Sequence, residues 1–99
     1  MITFIRTISI APGKTRKAMA FGHDIARYIK EKHGTTIEVL MPMGGNPSRI
    51  AWFARFDGLA QLETLTGKLL AEGQYMELVE KSADTFLAGS LHDEIWRAI

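Results

Sequence analysis

The stretch Ser48 to Asp57 constrains the fold most. Read as an extended strand, it places Ile50, Trp52, Ala54 and Phe56 on one side and Arg49, Ala51, Phe53, Arg55 and Asp57 on the other. Apolar residues therefore stand on both of its faces. A strand of this kind is normally covered on both sides, because leaving either face wet forgoes the burial that holds a sheet in place. Any architecture for this chain must supply two covering layers.

The other elements show what those layers are. Ile2 to Ile10 alternates, with Ile2, Phe4, Ile8 and Ile10 on one face around Arg6, and Thr3, Ile5, Thr7 and Ser9 on the other. This β-branched, period-two pattern predicts a strand ended by Pro12-Gly13. From about Thr15 to His33, the residues Ala18, Phe21, Gly22, Ile25, Tyr28 and Ile29 recur at helical spacing, and Gly34 is the expected stop. Thr35 to Met43 reads as a second strand, turned by Gly44-Gly45-Asn46-Pro47 into the third, Ser48 to Asp57, as a hairpin. Asp57 is the expected N-cap of a second helix with a stripe of Leu59, Leu62, Leu65, Leu69 and Leu70. Gly73 interrupts it, and Gln74 to Lys81 continues as a short helix. Asp84 to Ile99 reads as two extended pieces around Gly89, the last being Leu91 to Arg97.

The order is β, α, β, β, α, β, the split βαβ pattern of ferredoxin-like α+β domains: an antiparallel four-stranded sheet with its helices on one face. One domain over residues 1–99 is expected from the length. Two helices cover one face of the sheet. The other needs a partner, and an identical chain is the simplest source, so a homodimer is expected.

Composition narrows the partners. Twelve Lys and Arg face eleven Asp and Glu, interspersed, and the small basic group Lys14, Arg16 and Lys17 lacks interleaved aromatics; a nucleic-acid partner is not expected. With no cysteine there is no disulfide, thiol chemistry or cysteine metal site, which fits a reducing cytoplasm. Met1 to Ile10 makes a poor signal peptide, and no apolar run approaches the roughly 18 residues of a membrane span, so no membrane partner is expected.

Two segments resemble a known family. Ile5-Arg6-Thr7-Ile8-Ser9-Ile10-Ala11-Pro12-Gly13-Lys14 is similar to the opening strand of NIPSNAP-like proteins, where Leu-Arg-Thr-Tyr and a Pro-Gly-Lys turn recur. Trp52-Phe53-Ala54-Arg55-Phe56-Asp57-Gly58-Leu59 resembles that family's strand-to-helix segment. The resemblance implies the dimeric α+β barrel superfamily, in which two four-stranded sheets pack face to face. Ile8 stands where a Tyr is common, so no role of that Tyr carries over. The family has no general catalytic set and implies a fold more than a mechanism. The Asn, Trp and His trio with which some members of the superfamily degrade haem or oxidise aromatic substrates is not matched, since the only Asn, Asn46, falls in the hairpin loop.

A few residues are candidates for chemistry. Arg6, a cation among apolar neighbours, must be paired. It is either an anion clamp, with Arg55 if the two share a face, or one half of an ion pair with Glu38, Asp57 or Glu94 that fixes strand packing. Trp52 could stack on a flat ligand or anchor the core. His23, off the apolar stripe of its helix, and His92, sharing a face with Glu94 and Trp96, are weak candidates for a general base, since histidine changes charge near neutral pH. His33 is explained by its place in the last helical turn. The three histidines have no ligand-like spacing, and Gly44-Gly45-Asn46-Pro47 matches no phosphate loop, so neither a metal nor a cofactor is expected.

Three functions compete. The first is a NIPSNAP-like homodimer binding a small apolar or anionic molecule in or beside the barrel. The second is a cofactor-independent oxygenase or isomerase with His23 or His92 as base. The third is a structural or interaction domain without ligand. A cavity of ligand size, above about 300 Å³, separates the first two from the third.

Overall fold

A computed structural model describes all of residues 1–99. Its elements are β1 (Ile2–Ser9), α1 (Thr15–His33), β2 (Glu38–Leu40), β3 (Arg49–Phe56), α2 (Leu59–Leu70), α3 (Gly73–Lys81) and β4 (His92–Arg97). The strands form one antiparallel sheet in the order β2-β3-β1-β4. This is the ferredoxin-like βαββαβ arrangement that the element order predicts.

Register decides which side chains meet. Ile2, Phe4, Arg6 and Ile8 of β1 stand opposite Phe56, Ala54, Trp52 and Ile50 of β3. These residues and the helices make the core: Ile2, Ile50, Trp52, Ala54 and Phe56 from the sheet pack with Ala18, Ile25 and Ile29 of α1 and Leu62, Leu65 and Leu69 of α2. Ile50 is wholly buried. The α1 stripe predicted from spacing is the buried one, and Gly34 ends the helix in the left-handed region at φ 72°, its N–H bonded to the Lys30 carbonyl.

Three expectations about element boundaries are corrected. The second strand is only Glu38–Leu40, not Thr35 to Met43. Pro42 has no N–H to give the ladder, and the chain leaving Gly34 runs unpaired to Ile37. The residue capping α2 is Gly58, in extended conformation with no side-chain cap bond, because β3 runs through Phe56 and Asp57 belongs to the turn. Finally, Ala83–Thr85 forms a 3₁₀ turn, and Phe86 makes a single bridge to Ile10 where a longer extended piece was expected. Phe86 is drawn inward to pack edge-on against Phe21 and Trp52, with centroids 5.4 and 6.5 Å away.

The helix-free face carries Ile5, Ala51, Phe53, Leu40 and Trp96 among Thr3, Thr7, His92, Glu94 and Arg55, as the register places them. All six residues of β4 are exposed, Ile95 and Trp96 by 50% and 61%. The molecule exposes 6625 Å². Surface scaling gives about 5,700 Å² for a folded monomer of this mass, so about 900 Å² is in excess.

Candidate functional site

Between the sheet and the helical layer lies a cavity of about 520 Å³, lined by 25 residues of which 21 are hydrophobic. That is a ligand-sized volume. Its floor includes Phe4, Arg6, Ile8 and Trp52; α1, α2, α3 and the Ser82–Leu91 segment line most of the rest, and one side opens to the surface. The cavity exists because α3 contributes no fully buried residue to the core: Tyr75 and Val79 lean on its edge instead of reaching the sheet.

Few polar groups enter this space. Arg6 is its only charged residue and Tyr75 the only other titratable one. The Thr66 hydroxyl donates back to the Leu62 carbonyl within α2 and the Ser82 hydroxyl, just past the end of α3, to the Val79 carbonyl, so both are satisfied locally. The Trp52 indole N–H is spent on the Gly22 carbonyl at 3.2 Å, and its ring meets Phe21 edge-on, making it at once a core anchor and a cavity wall.

Arg6 is held by Asp93. Its Nε and Nη2 donate to the two carboxylate oxygens at 2.7 and 2.8 Å, a fork-to-fork pair. These bonds raise the guanidinium pKa above its already high normal value against the opposing effect of burial. The partner is Asp93, directly opposite Arg6 on β4, and none of Glu38, Asp57 and Glu94. Nη1 is left free of any protein partner. The Tyr75 hydroxyl likewise has none, and burial pushes its phenol upward while the Arg6 charge draws it part of the way back. Tyr75 thus stays a neutral donor at physiological pH.

The remaining candidates lie elsewhere. Arg6 and Arg55 stand on opposite faces of the sheet, and Arg55 packs over the Phe53 ring on the helix-free side, 5.6 Å from its centroid. The two arginines do not form one clamp. His23 lines a separate surface hollow beside Arg27, Lys30 and Thr36. His92 contacts Glu94 at 3.1 Å and Trp96 donates to the same carboxylate at 2.9 Å, an exposed row on the helix-free face. His33 meets Glu72, whose carboxylate also accepts from the Tyr28 hydroxyl at 2.7 Å, and this ties the end of α1 to the α2–α3 junction. No three His, Asp or Glu side chains gather as a metal site requires. No helix is long and apolar enough to cross a membrane. Tyr75 and Asp93 escape sequence reasoning, since each acquires its position only from a non-local packing.

Fold and cavity together define a class: an α+β protein of the ferredoxin-like type with an apolar chamber under its helices. Solved structures that share the fold include NIPSNAP family proteins and proteins provisionally named antibiotic biosynthesis monooxygenases. A NIPSNAP domain protein from Burkholderia xenovorans, uncharacterised, superposes with a TM-score of 0.84 at 13% identity over 100% of this chain and 95% of that one. A NIPSNAP family protein of unknown function from Agrobacterium tumefaciens gives 0.83 at 17%, over 99% and 87%. A protein of Nitrosomonas europaea, provisionally named an antibiotic biosynthesis monooxygenase, gives 0.75 at 14%, over 100% and 99%. No family model matches the sequence. No curated protein matches it either.

Proposed function

We propose that this chain, a single domain over residues 1–99, works as a homodimer that binds a small, mostly apolar molecule in the cavity under its helices. The cavity carries the reading: about 520 Å³ lined almost wholly by apolar side chains has the size and character of a small-molecule pocket. Arg6 and Trp52 form part of its floor, whereas Arg55 belongs to the opposite face. The homodimer is supported by the excess exposed surface, which is close to the roughly 800 Å² each partner contributes to a standard interface. It is also supported by the apolar residues Ile5, Phe53 and Trp96 on the face without helices. The lack of cysteine suits a reducing compartment such as the cytoplasm.

Titration with Nile red tests the cavity. The wild-type protein should bind it with blue-shifted emission, and Val79→Trp, which fills the chamber from α3, should weaken binding at least tenfold. Equal binding by both proteins, or none by the wild type, defeats the reading.

A second reading, cofactor-independent oxygenation or isomerisation, rests on one observation, the 3.1 Å contact of His92 with Glu94, which resembles a base held by an orienting carboxylate. Neither His92 nor His23 lines the cavity, so a substrate for that chemistry with His92 as base lies on the helix-free face. Turnover abolished by His92→Ala with Nile red binding intact would favour this second reading.

A further inference from the structure

We infer that α3 is a gate over the cavity and that the Glu72 side chain is its latch. This deepens the proposed cavity function and rests on it.

Helix α3 roofs the cavity with little to hold it there. It turns Tyr75, Met76 and Val79 toward the space, yet none of its residues is fully buried. No side chain of Gly73–Lys81 makes a hydrogen bond or ion pair outside the helix; its one ion pair, Lys81 with Glu77 at 3.9 Å, is internal. What remains is partial apolar contact, such as that of the Tyr75 ring with Tyr28, centroids 6.1 Å apart. An element with so few buried contacts is one that opens locally without unfolding the rest.

Its two ends are held differently. Beyond the C-terminal end, main-chain bonds fix the chain to β1 and its exit: the Ala11 N–H donates to the Thr85 carbonyl at 2.9 Å and the Leu87 N–H to the Ser9 carbonyl at 3.0 Å, and Thr85 is buried. At the N-terminal end, Glu72 is extended at φ −96° and ψ 118° and separates α3 from α2. There the polar hold on α1 is the Glu72 carboxylate, which accepts from the Tyr28 hydroxyl at 2.7 Å and meets His33 Nε2 at 2.9 Å. Both partners stand on α1, which is packed on the sheet through Ala18, Ile25 and Ile29. One carboxylate thus ties the movable end of the roof to a fixed helix. When it lets go, α3 swings about Ser82–Thr85 and widens the way into the cavity, as lids do in other ligand sites.

Hydrogen exchange and stopped-flow Nile red fluorescence at neutral pH test this together. In the wild type the amides of α3 should exchange faster than those of β1 and β3, as a local opening requires. Glu72→Ala should speed α3 exchange about fivefold, the effect of losing a hydrogen bond or two to a carboxylate. Entry and release of the dye should both speed by a similar factor, so that Kd stays within about twofold, because the latch holds the empty and the occupied forms alike. Glu72→Gln keeps an oxygen for Tyr28 but loses the charge, and should fall between. If Glu72→Ala does not fold, Tyr28→Phe, which removes one bond to the same carboxylate, decides by the same readouts. Exchange of α3 no faster than that of β1 and β3 in the wild type, or dye rates unmoved by the substitutions, overturns the gate and leaves the cavity standing. If the wild type takes up no dye, the cavity reading falls and the gate with it.

Discussion

The indole N–H of Trp52 donates to the backbone carbonyl of Gly22 across 3.2 Å, at a point where the absent side chain of Gly22 leaves room for Ile50 and Val39. A β-carbon there would stand 2.9 Å from Ile50 Cδ1, 3.0 Å from Val39 Cγ1 and 3.7 Å from the Trp52 ring. Helix α1 lies on the sheet at this point because nothing projects between them. Since Ile50 is wholly buried, its methyl has no free space to take up. Gly22→Val should therefore cost about 1–3 kcal/mol, as overpacked cores do, despite the better helix propensity of valine over glycine. Urea denaturation monitored by Trp fluorescence checks this; a midpoint equal to or above wild type would contradict the close packing.

The Arg6–Asp93 pair joins β1 to the edge strand β4. Its side chains are about one-third exposed, so its strength is that of a well-oriented pair near the surface and not of a buried one. A double-mutant cycle with Arg6→Met and Asp93→Ala should give a coupling of about 1 kcal/mol, the upper end for partly screened pairs. Coupling indistinguishable from zero would mean that the fork-to-fork geometry does not persist in solution.

Glu72 is held below the usual carboxylate range, first by its hydrogen bond to His33 and next by that from Tyr28. A carboxylate depressed on folding contributes stability that is complete above its unfolded value, near 4.5, and fades as pH falls through the lower folded value. Thermal melts of wild type and Glu72→Ala from pH 5 to 3 should therefore show a Tm gap that narrows below about pH 4.5. A gap that widens below about pH 4.5 would contradict the assignment.

Phe53 lies on the helix-free face, whereas Ile95 is in register with Phe4 on the helix side. Phe53→Asp is accordingly the substitution that addresses pairing through the bare face. Light scattering should give about twice the 11.1 kDa chain mass for wild type at micromolar concentration. Phe53→Asp should run as a monomer with native-like circular dichroism, because the carboxylate would lose its water without a partner. A wild-type monomer would remove the face-to-face dimer.

Local patterning determined much of this protein. Period-two alternation marked Ile2–Ser9 and Arg49–Phe56, helical spacing marked Thr15–His33, and glycine at 34 marked a chain stop, because those features depend on residues a few positions apart. Arg6 could be recognised as a cation requiring a partner for the same reason. Tertiary structure alone decided which partner: Asp93 is 87 positions away, and only the β1–β4 register puts it there instead of Glu94, one residue on and on the other face. It likewise set Arg6 and Arg55 on opposite faces. The cavity is the least legible feature of all, since it is space left when α3 rests on its neighbours without reaching the sheet, and empty volume has no sequence pattern. Tyr75 therefore reads along the chain as one more apolar helix position, and becomes a free donor in a chamber only when the layers have closed around it.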